Sequence, residues 1–475
     1  MNKTAFQLLL IPFALAFHLE DSRGEPTKYG SWNPEHGVPI QIPKRDPRVE
    51  WFETAKFGIF QHWGIWVVDK TDISNVINHP PAPGMISAEK YYSQLPRFCP
   101  EKYDPDAWAD IIGRSGAKYV VITTKHHDGV AMWDTRAPGG VDVVDQGGAK
   151  RDLIEPWVSA MRKAGLRVGF YFSDADWGNP DYASKLPQAS QKEAGRDHES
   201  KPFSFGATDE PDRWERFIKY RDFQIGELLP YKPDIWWIDG DWERTAEDWN
   251  TKGLAARLLA NDPDVLIGRM GRAETPGVVK YVTPERVIPF KTPAGPWELC
   301  QTLTEYWGYV PQNARGKDAA MIVKILSEVI ARGGNLLLNI APGPDGTLSE
   351  KEVRELLKTG EWIKRNSEAI YPAFGGEALG FSFLRFFGPT TVAPDGKALY
   401  LFVDGQPNGY VVVRDVVSKI RKAEVLSTGE ELDFRRLGGN GEMPGAYYIN
   451  VPKSPDPLMT VVKLSFDEVI ELSAK

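Results

Sequence analysis

The sequence is poor in cysteine, with only Cys99 and Cys300 in a chain of 475 residues. These two cysteines form no Cys-x-x-Cys pair, which is the spacing typical of structural zinc sites. A chain of this length buries enough apolar surface to fold without disulfides. We therefore expect two buried free thiols, with a single disulfide as the alternative.

Positive charge is also scarce, because 57 lysines and arginines face 65 acidic residues and the net charge is −8. No lysine- or arginine-rich block is present, which argues against a nucleic-acid partner. Apolar residues make up 42% and charged residues 26% of the chain, a balance that excludes disordered, collagen-like and coiled-coil proteins. Aromatic residues are plentiful, and their rings either fill a large core or stack on sugars.

Long hydrophobic runs are limited to residues 5–17, which are too few to cross a bilayer. Lys3 precedes this run and Ala14-Leu-Ala follows within it, as in a secretory signal peptide. We predict a signal peptide and lead over residues 1–24, cleaved near residue 16, and a secreted or periplasmic protein without an integral membrane segment. The alternative is an apolar N-terminus of a cytosolic protein.

Apolar, strand-like runs alternate with helical patterns over most of the chain. Six such runs are nearly continuously apolar, which is typical of strands buried on both faces of a parallel sheet. They lie at 57–62, 118–124, 166–172, 234–239, 265–268 and 335–340. Helical patterns follow at 105–116, 152–164, 212–229, 246–260, 318–332 and 351–366. This order predicts an α/β fold, a (β/α)8-type barrel over residues 25–371. A doubly wound sheet is less favoured, because no GxGxxG motif follows the first strand.

Beyond residue 371 the helical patterns stop. Short strand-like runs at 399–403, 410–413, 447–451 and 459–464 are separated by Gly, Asp, Pro and Asn turns. This region, 372–475, is predicted to be a C-terminal antiparallel β-sandwich.

Polar side chains follow several of the predicted barrel strands, at the end where barrel enzymes carry their catalytic groups. They are His62, His126, His127, Tyr171, Asp239, Trp242 and Arg269. We interpret this set as the rim of an active site. Each member also has an ordinary structural explanation: His62 as a core histidine, for example, and Trp236 and Trp237 as packing residues.

His126 and His127 are candidate metal ligands, but the sequence has no HxH or HExxH spacing. Adjacent strand residues also face opposite ways. We expect neither a metal nor a cofactor.

Asp239 ends the strand Ile-Trp-Trp-Ile, where an unpaired carboxylate would be costly to bury. It either caps a turn, pairs with Arg269, or acts as a nucleophile or general base. Glycoside cleavage would need a second carboxylate. Glu285 and Glu298 are candidates, both in a predicted Pro-rich loop after the fifth strand, and spacing alone does not choose between them.

Several segments together resemble glycoside hydrolase family 29, the retaining α-L-fucosidases. They are FGIFQHWG at 57–64, KYVVITTKHHDG at 118–129, WIDG at 237–240, Trp297-Glu298, and GGNLLLN at 333–339 followed by Pro342. The resemblance runs from about residue 50 to 371, and it implies release of α-L-fucose from a carbohydrate by double displacement.

By position, the resemblance implies that Asp239 is the nucleophile and Glu285 the acid/base, with Glu298 as second choice. It further implies a sugar pocket lined by His62, His126, His127, Tyr171 and Arg269, with Trp307 near the sugar methyl group. We expect the loop around Glu285 to desolvate that carboxyl group.

The sequence departs from the family pattern in one region. Residues 67–85 lack the family's Glu-Trp pair and offer Asn75, Asn78 and His79 instead, and Gln61 replaces a usual apolar residue. This departure leaves an α-L-galactosidase and a non-catalytic sugar-binding protein as alternatives. A metal hydrolase using His126 and His127 is a further one.

Overall fold

The computed structural model describes residues 37–73, 86–183, 210–269, 280–311, 314–405, 409–439 and 444–473. The predicted signal peptide lies outside the described residues, and so do Asn75, Asn78 and His79. Among the helices that the structure describes, none has the length and apolarity needed to cross a membrane.

Eight parallel strands form the barrel. The strands of the first part of the chain are β1 (Gly37–Pro39), β2 (Phe57–Gln61), β3 (Tyr119–Lys125), β4 (Val130–Ala131), β5 (Val141–Asp142), β6 (Arg167–Ser173), β7 (Ile235–Asp239), β8 (Leu266–Gly268), β9 (Lys280–Tyr281), β10 (Glu298–Thr302) and β11 (Asn335–Ile340). Parallel pairing runs in the order β10-β11-β2-β3-β6-β7-β8-β9. Bridges from Val282 to Trp297 and from Glu285 to Cys300 join the segment after β9 to β10, so the ring closes. The predicted barrel is confirmed.

Helices cover the outside of the barrel. They are α1 (Glu50–Ala55), α2 (Ala88–Tyr92), α3 (Pro105–Arg114), α4 (Ile154–Lys163), α5 (Pro211–Leu228), α6 (Thr251–Asn261), α7 (Ala319–Ala331) and α8 (Glu350–Arg365). Local signals set several of their ends. The Asp104 side chain accepts a hydrogen bond from the Ala107 amide, and Pro105 occupies the first turn, where its missing N–H has no cost.

α6 begins five residues later than the sequence predicts. The Thr245 and Asp248 side chains form a local turn, in which Thr245 Oγ1 donates to Asp248 and accepts from its amide. Asn250 then adopts a left-handed conformation with φ of 49°, so helical geometry begins at Thr251.

Side-chain alternation along the strands fills the barrel interior. Gly58 faces inward beneath the Tyr119 ring, where an added Cβ would lie 2.4 Å from a ring carbon. Tyr119, Trp237 and Glu298 occupy this lower layer and are nearly inaccessible to solvent. They form the floor under the cavity described below.

The predicted loop after the fifth strand is wrong in part, because it contains β9 and β10. Pro284, Pro289 and Pro296 interrupt this stretch, and proline argues against a strand. The sequence analysis therefore missed two short strands, whose pairing partners lie elsewhere in the chain. Glu298 is consequently the first residue of a central barrel strand and not a loop residue.

The C-terminal part is antiparallel, as predicted. Its strands are β12 (Phe374–Gly375), β13 (Thr390–Val392), β14 (Ala398–Val403), β15 (Tyr410–Val413), β16 (Ile420–Val425), β17 (Phe434–Leu437), β18 (Ala446–Asn450), β19 (Thr460–Phe466) and β20 (Glu471–Ser473). A five-stranded and a three-stranded sheet enclose a second hydrophobic core. β1 pairs with β20, and Trp362 Nε1 of α8 donates to the Met459 carbonyl at 2.7 Å.

Both cysteines are free thiols, but only Cys300 is buried. Cys99 is exposed, and its Sγ lies 3.4 Å from the Gly148 carbonyl. The expectation of two buried thiols is therefore correct for Cys300 alone.

Candidate active site

A cavity of about 560 Å³ opens at the carboxyl ends of the barrel strands. Nine of the ten site residues predicted from the sequence line it, and the exception is Glu298. The lining residues are Phe60, His62, Ile73, His126, His127, Tyr171, Trp177, Trp237, Asp239, Asp241, Trp242, Arg269, Thr283, Glu285, Cys300 and Trp307.

Asp239 ends β7 and presents its carboxylate to this cavity. The Tyr171 hydroxyl donates to Oδ2 at 2.8 Å, and Arg269 Nη1 donates to Oδ1 at 3.2 Å. His127 Nε2 faces Oδ2 across 3.8 Å. The side chain is only 11% exposed, and the hydrogen bonds from Tyr171 and Arg269 supply partners for this nearly buried carboxylate.

Arg269 connects the two candidate carboxylates. Its Nη1 contacts Asp239, its Nη2 donates to Glu285 Oε2 at 3.1 Å, and its Nε donates to Thr283 Oγ1 at 2.7 Å. The guanidinium also lies 4.3 Å above the Trp237 ring. Burial would lower the pKa of Arg269, but the negative charges around it, chiefly Asp239, raise that pKa above its ordinary value.

The backbone at Arg269 is left-handed, with φ of 53°. Non-glycine residues rarely adopt this conformation, and where they do it is often at a functional position. Here it follows directly after β8 and turns the side chain toward the carboxylates.

His62 is held as a neutral imidazole of defined tautomer. Asn339 Nδ2 donates to the Trp307 carbonyl at 2.8 Å, so its Oδ1 is the acceptor for His62 Nδ1 at 2.7 Å. Nε2 is then left with a lone pair. Burial lowers the pKa of His62 to about 3. The ring is therefore an uncharged hydrogen-bonding group at neutral and mildly acidic pH.

His127 is oriented by a similar relay. The Ser173 hydroxyl donates to the Ala175 carbonyl at 2.6 Å, so its oxygen accepts from His127 Nδ1 at 2.6 Å. His126 stacks on Tyr171 with ring centroids 5.1 Å apart. Burial lowers the pKa of His126, and the neighbouring His127 and His62 act in the same direction.

Aromatic rings line the same cavity and pack against its histidines. Tyr171 stacks on Trp237 at 5.5 Å, and Phe60 packs against Trp237 at 5.4 Å. Trp307 lies 4.9 Å from the His62 ring. One cavity thus combines aromatic rings with histidines, an arginine and carboxylates, groups that can bind the apolar patches and the hydroxyls of a sugar ring.

The structure places the two acid/base candidates in different environments. Glu285 is at the cavity mouth with its side chain 42% exposed, so the expected desolvation by its loop is absent here. Glu298 is fully buried under the cavity, where Tyr119 and Trp237 donate to its two oxygens at 2.7 and 3.0 Å. Burial raises the pKa of Glu298 to about 7.

Several lining residues were missed by the sequence analysis, notably Phe60, Trp177, Trp237 and Thr283. Two of them could have been predicted from side-chain alternation, because residues two apart in a strand share a face. Counting back two from Asp239 and from His62 reaches Trp237 and Phe60. Thr283 follows a strand that the sequence analysis did not detect.

Among the described residues, the one cluster of three side chains able to share a metal ion is Asp134, Asp142 and Asp145. The cavity histidines form no such cluster with their described neighbours. His127 instead bonds to Ser173, and His62 to Asn339.

Comparison with known proteins identifies the family. The sequence model of the family "Alpha-L-fucosidase" matches residues 38–368. The chain is similar to the plasma α-L-fucosidase of Homo sapiens, with 31% identity over 446 residues, which are 85% of this chain and 87% of the relative.

Solved structures agree with the sequence match. α-L-Fucosidase isoenzyme 1 from Paenibacillus thiaminolyticus superposes with a TM-score of 0.76 at 28% identity, covering 89% of this chain and 99% of that one. A family 29 α-L-fucosidase from Bacteroides thetaiotaomicron, solved as a trapped covalent intermediate with 2-fluoro-fucosyl fluoride, has a TM-score of 0.73 at 25% identity. It covers 93% of this chain and 99% of its own.

Proposed function

This chain belongs to the α-L-fucosidase family, glycoside hydrolase family 29, and from that premise we propose that it releases terminal α-L-fucose from oligo- or polysaccharides with retention of configuration. The observation that carries the proposal is the arrangement around Arg269. A single guanidinium contacts both Asp239 and Glu285 at the edge of an aromatic cavity.

In the first step, an Asp239 oxygen attacks the anomeric carbon while Glu285 protonates the leaving oxygen. A covalent fucosyl-enzyme forms and the C1–O bond to the leaving group breaks. In the second step, Glu285 removes a proton from water, which attacks C1 and frees Asp239. The covalent intermediate of the Bacteroides relative supports this double displacement.

Tyr171 and Arg269 hold the Asp239 carboxylate in position for attack through their hydrogen bonds. Glu285 reaches solvent in the open cavity, which suits its second task of activating water. Bound sugar and leaving group would cover it in the first step, when it donates its proton to the leaving oxygen.

The aromatic rings that line the cavity support fucose over L-galactose as the sugar of the substrate. Fucose has a methyl group where L-galactose has a hydroxymethyl group, and the rings of Phe60, Trp237 and Trp307 suit the methyl group. A hydroxyl placed against these rings would lose hydrogen bonds to water without replacement. Comparing the 4-nitrophenyl α-L-fucoside and α-L-galactoside tests this choice, and equal kcat/KM values would contradict it.

His62 and His127, each fixed by a buried partner, would bind ring hydroxyls through Nε2. The N-terminal pattern of Lys3 followed by the apolar run 5–17 supports secretion, and the human relative is named as a plasma enzyme. Appearance of the enzyme outside the cell, shortened near residue 16, would test this part.

The decisive experiment is Asp239→Ala with azide as an external nucleophile. We expect turnover to fall by at least about 1,000-fold, and azide to restore part of it as the β-fucosyl azide of inverted configuration. Glu285→Ala with azide should instead give the α-azide. Asp212→Ala, an exposed acid on α5, is the matched control and should behave like the wild type. Substantial activity of Asp239→Ala would overturn the assignment, and lack of turnover by the wild type would favour a sugar-binding protein.

A further inference from the structure

A second cavity, of about 530 Å³, lies beside the active site. Three cationic side chains line it: Arg286, Arg315 and Lys317. We call it the cationic cleft. Its size is close to that of the active-site cavity, so it has room for a sugar residue.

Arg286 marks the boundary between the two cavities. It follows Glu285 in the chain, and its guanidinium carbon lies 5.2 Å from the centre of the Trp307 ring. Trp307 lines the active-site cavity, whereas Arg286 lines the cationic cleft. The cleft therefore adjoins the active site on the side of Glu285.

The backbone holds Arg286 in this place. Its amide donates to the Cys300 carbonyl at 2.9 Å, and its own carbonyl accepts from Gln301 Nε2 at 2.8 Å. Its φ is 60°, so Arg286 shares with Arg269 the left-handed conformation that non-glycine residues rarely adopt. Two strained arginines thus flank Glu285 along the same rim.

The positive charges of the cleft lack ion-pair partners within the described part of the chain. No described carboxylate lies within 4 Å of Arg286, Arg315 or Lys317, and Lys317 Nζ donates only to the Thr302 carbonyl. The cleft also contains Glu305 and Asp318, but the Asp318 carboxylate accepts the Met321 amide and caps α7.

With Glu305 and Asp318 counted, the cleft has three cationic and two anionic side chains, a net charge of +1 in a protein whose net charge is −8, so this charge does not follow from a generally basic surface. Lys317 is half-buried, and its burial together with the charge of Arg286 lowers its pKa, against the opposing effect of Glu305. A bound anion would relieve this repulsion between cations.

On this basis we propose that the cationic cleft binds an anionic group, a sulfate ester or a carboxylate, on the sugar to which the fucosyl residue is attached. The inference rests on the proposed function, because Glu285 must stand beside the leaving oxygen to protonate it. The leaving sugar then extends past Glu285 and reaches the neighbouring Arg286. The substrate class is therefore an α-L-fucosylated, acidic oligo- or polysaccharide.

The test compares fucosylated oligosaccharides that differ only in the leaving sugar: neutral, sulfated, or oxidised to a uronic acid. We expect kcat/KM for at least one anionic substrate to exceed that of the neutral one by roughly tenfold at low ionic strength. Added salt should reduce this ratio, because the cations are accessible to solvent. Whichever substrate shows the higher kcat/KM, the sulfated or the oxidised one, identifies the anion that the cleft binds.

Arg315→Ala and the double variant Arg315→Ala, Lys317→Ala should bring the ratio close to one, while hydrolysis of 4-nitrophenyl α-L-fucoside stays unchanged. Arg315 is exposed, so its single substitution keeps the fold. Lys324→Ala is the control, since Lys324 pairs with Asp404 outside the cleft and should leave the ratio intact.

The inference is overturned if the wild type prefers neither anionic substrate, or if the preference persists in the double variant. The proposed function fails separately, if neither the aryl fucoside nor any of the oligosaccharides yields fucose.

Discussion

Glu298 offers a sharp test of the barrel interior, because it is a carboxyl group with no access to solvent. Burial raises its pKa from 4.5 to about 7, and the hydrogen bonds from Tyr119 and Trp237, together with the charge of Arg269, oppose this only in part. The native protein therefore keeps a proton on Glu298 over a pH range in which the unfolded chain loses it.

The sign of the effect follows from proton linkage. Below about pH 4.5 Glu298 is protonated in both the native and the unfolded state, and its contribution to the free energy of unfolding is fully present. As pH rises towards 7, the unfolded chain releases the proton while the native protein retains it, so the free energy of unfolding falls. Between 4.5 and about 7 the loss amounts to about 3 kcal/mol.

Glu298→Gln removes this titration. We predict that, relative to the variant, the wild type loses about 3 kcal/mol of unfolding free energy between pH 4.5 and 7.5. The variant also has a constant offset, because an amide offers one acceptor to two donors, so only the pH dependence is diagnostic. Reversible urea unfolding, followed by tryptophan fluorescence at four pH values, measures it.

Glu361→Gln, at an exposed position on α8, is the control and should run parallel to the wild type. A difference between wild type and Glu298→Gln that stays flat with pH would refute the reasoning on burial. The same variant addresses catalysis: we expect it to keep turnover within about tenfold of the wild type, whereas an acid/base residue would cost far more.

Three further predictions concern other buried contacts. Tyr171→Phe removes the hydrogen bond to Asp239 and should lower kcat by about 10- to 100-fold; a change below threefold, measured on the aryl fucoside, would contradict this. Lys125→Met leaves Asp176 as an unpaired buried charge and should cost about 3–5 kcal/mol in urea unfolding, part of which Asp176→Asn in the same chain should restore. Trp362→Phe leaves the Met459 carbonyl without its donor and should cost about 1–3 kcal/mol without altering kcat; reduced turnover would show that this contact reaches the active site.

The parts of the fold that could be predicted have strong local signals. The run Ile235–Ile238 is apolar on both faces and is followed by Asp239, so both the strand and its carboxyl end are evident from the residues alone. Asp104 with Pro105 likewise marks the start of a helix.

The parts that were missed depend on distant partners. β10 carries Glu298 into the barrel interior, and a charged residue there contradicts the usual pattern of a buried strand. The hydrogen-bond donors to Glu298, Tyr119 and Trp237, are 179 and 61 residues away in the chain. No local feature of the sequence therefore indicates that this carboxyl group has hydrogen-bond partners. The different surroundings of Glu285 and Glu298 became evident only once those contacts were known.

The pairing of β1 with β20 has a consequence for the order of assembly. β1 is the first described strand and β20 the last, whereas all eight strands of the ring precede β12 in the chain. The ring can therefore form on a growing chain, whereas β1 can pair only after β20 has been synthesised. Pairing of β1 with β20 then joins the residues that precede the barrel to the C-terminal sandwich.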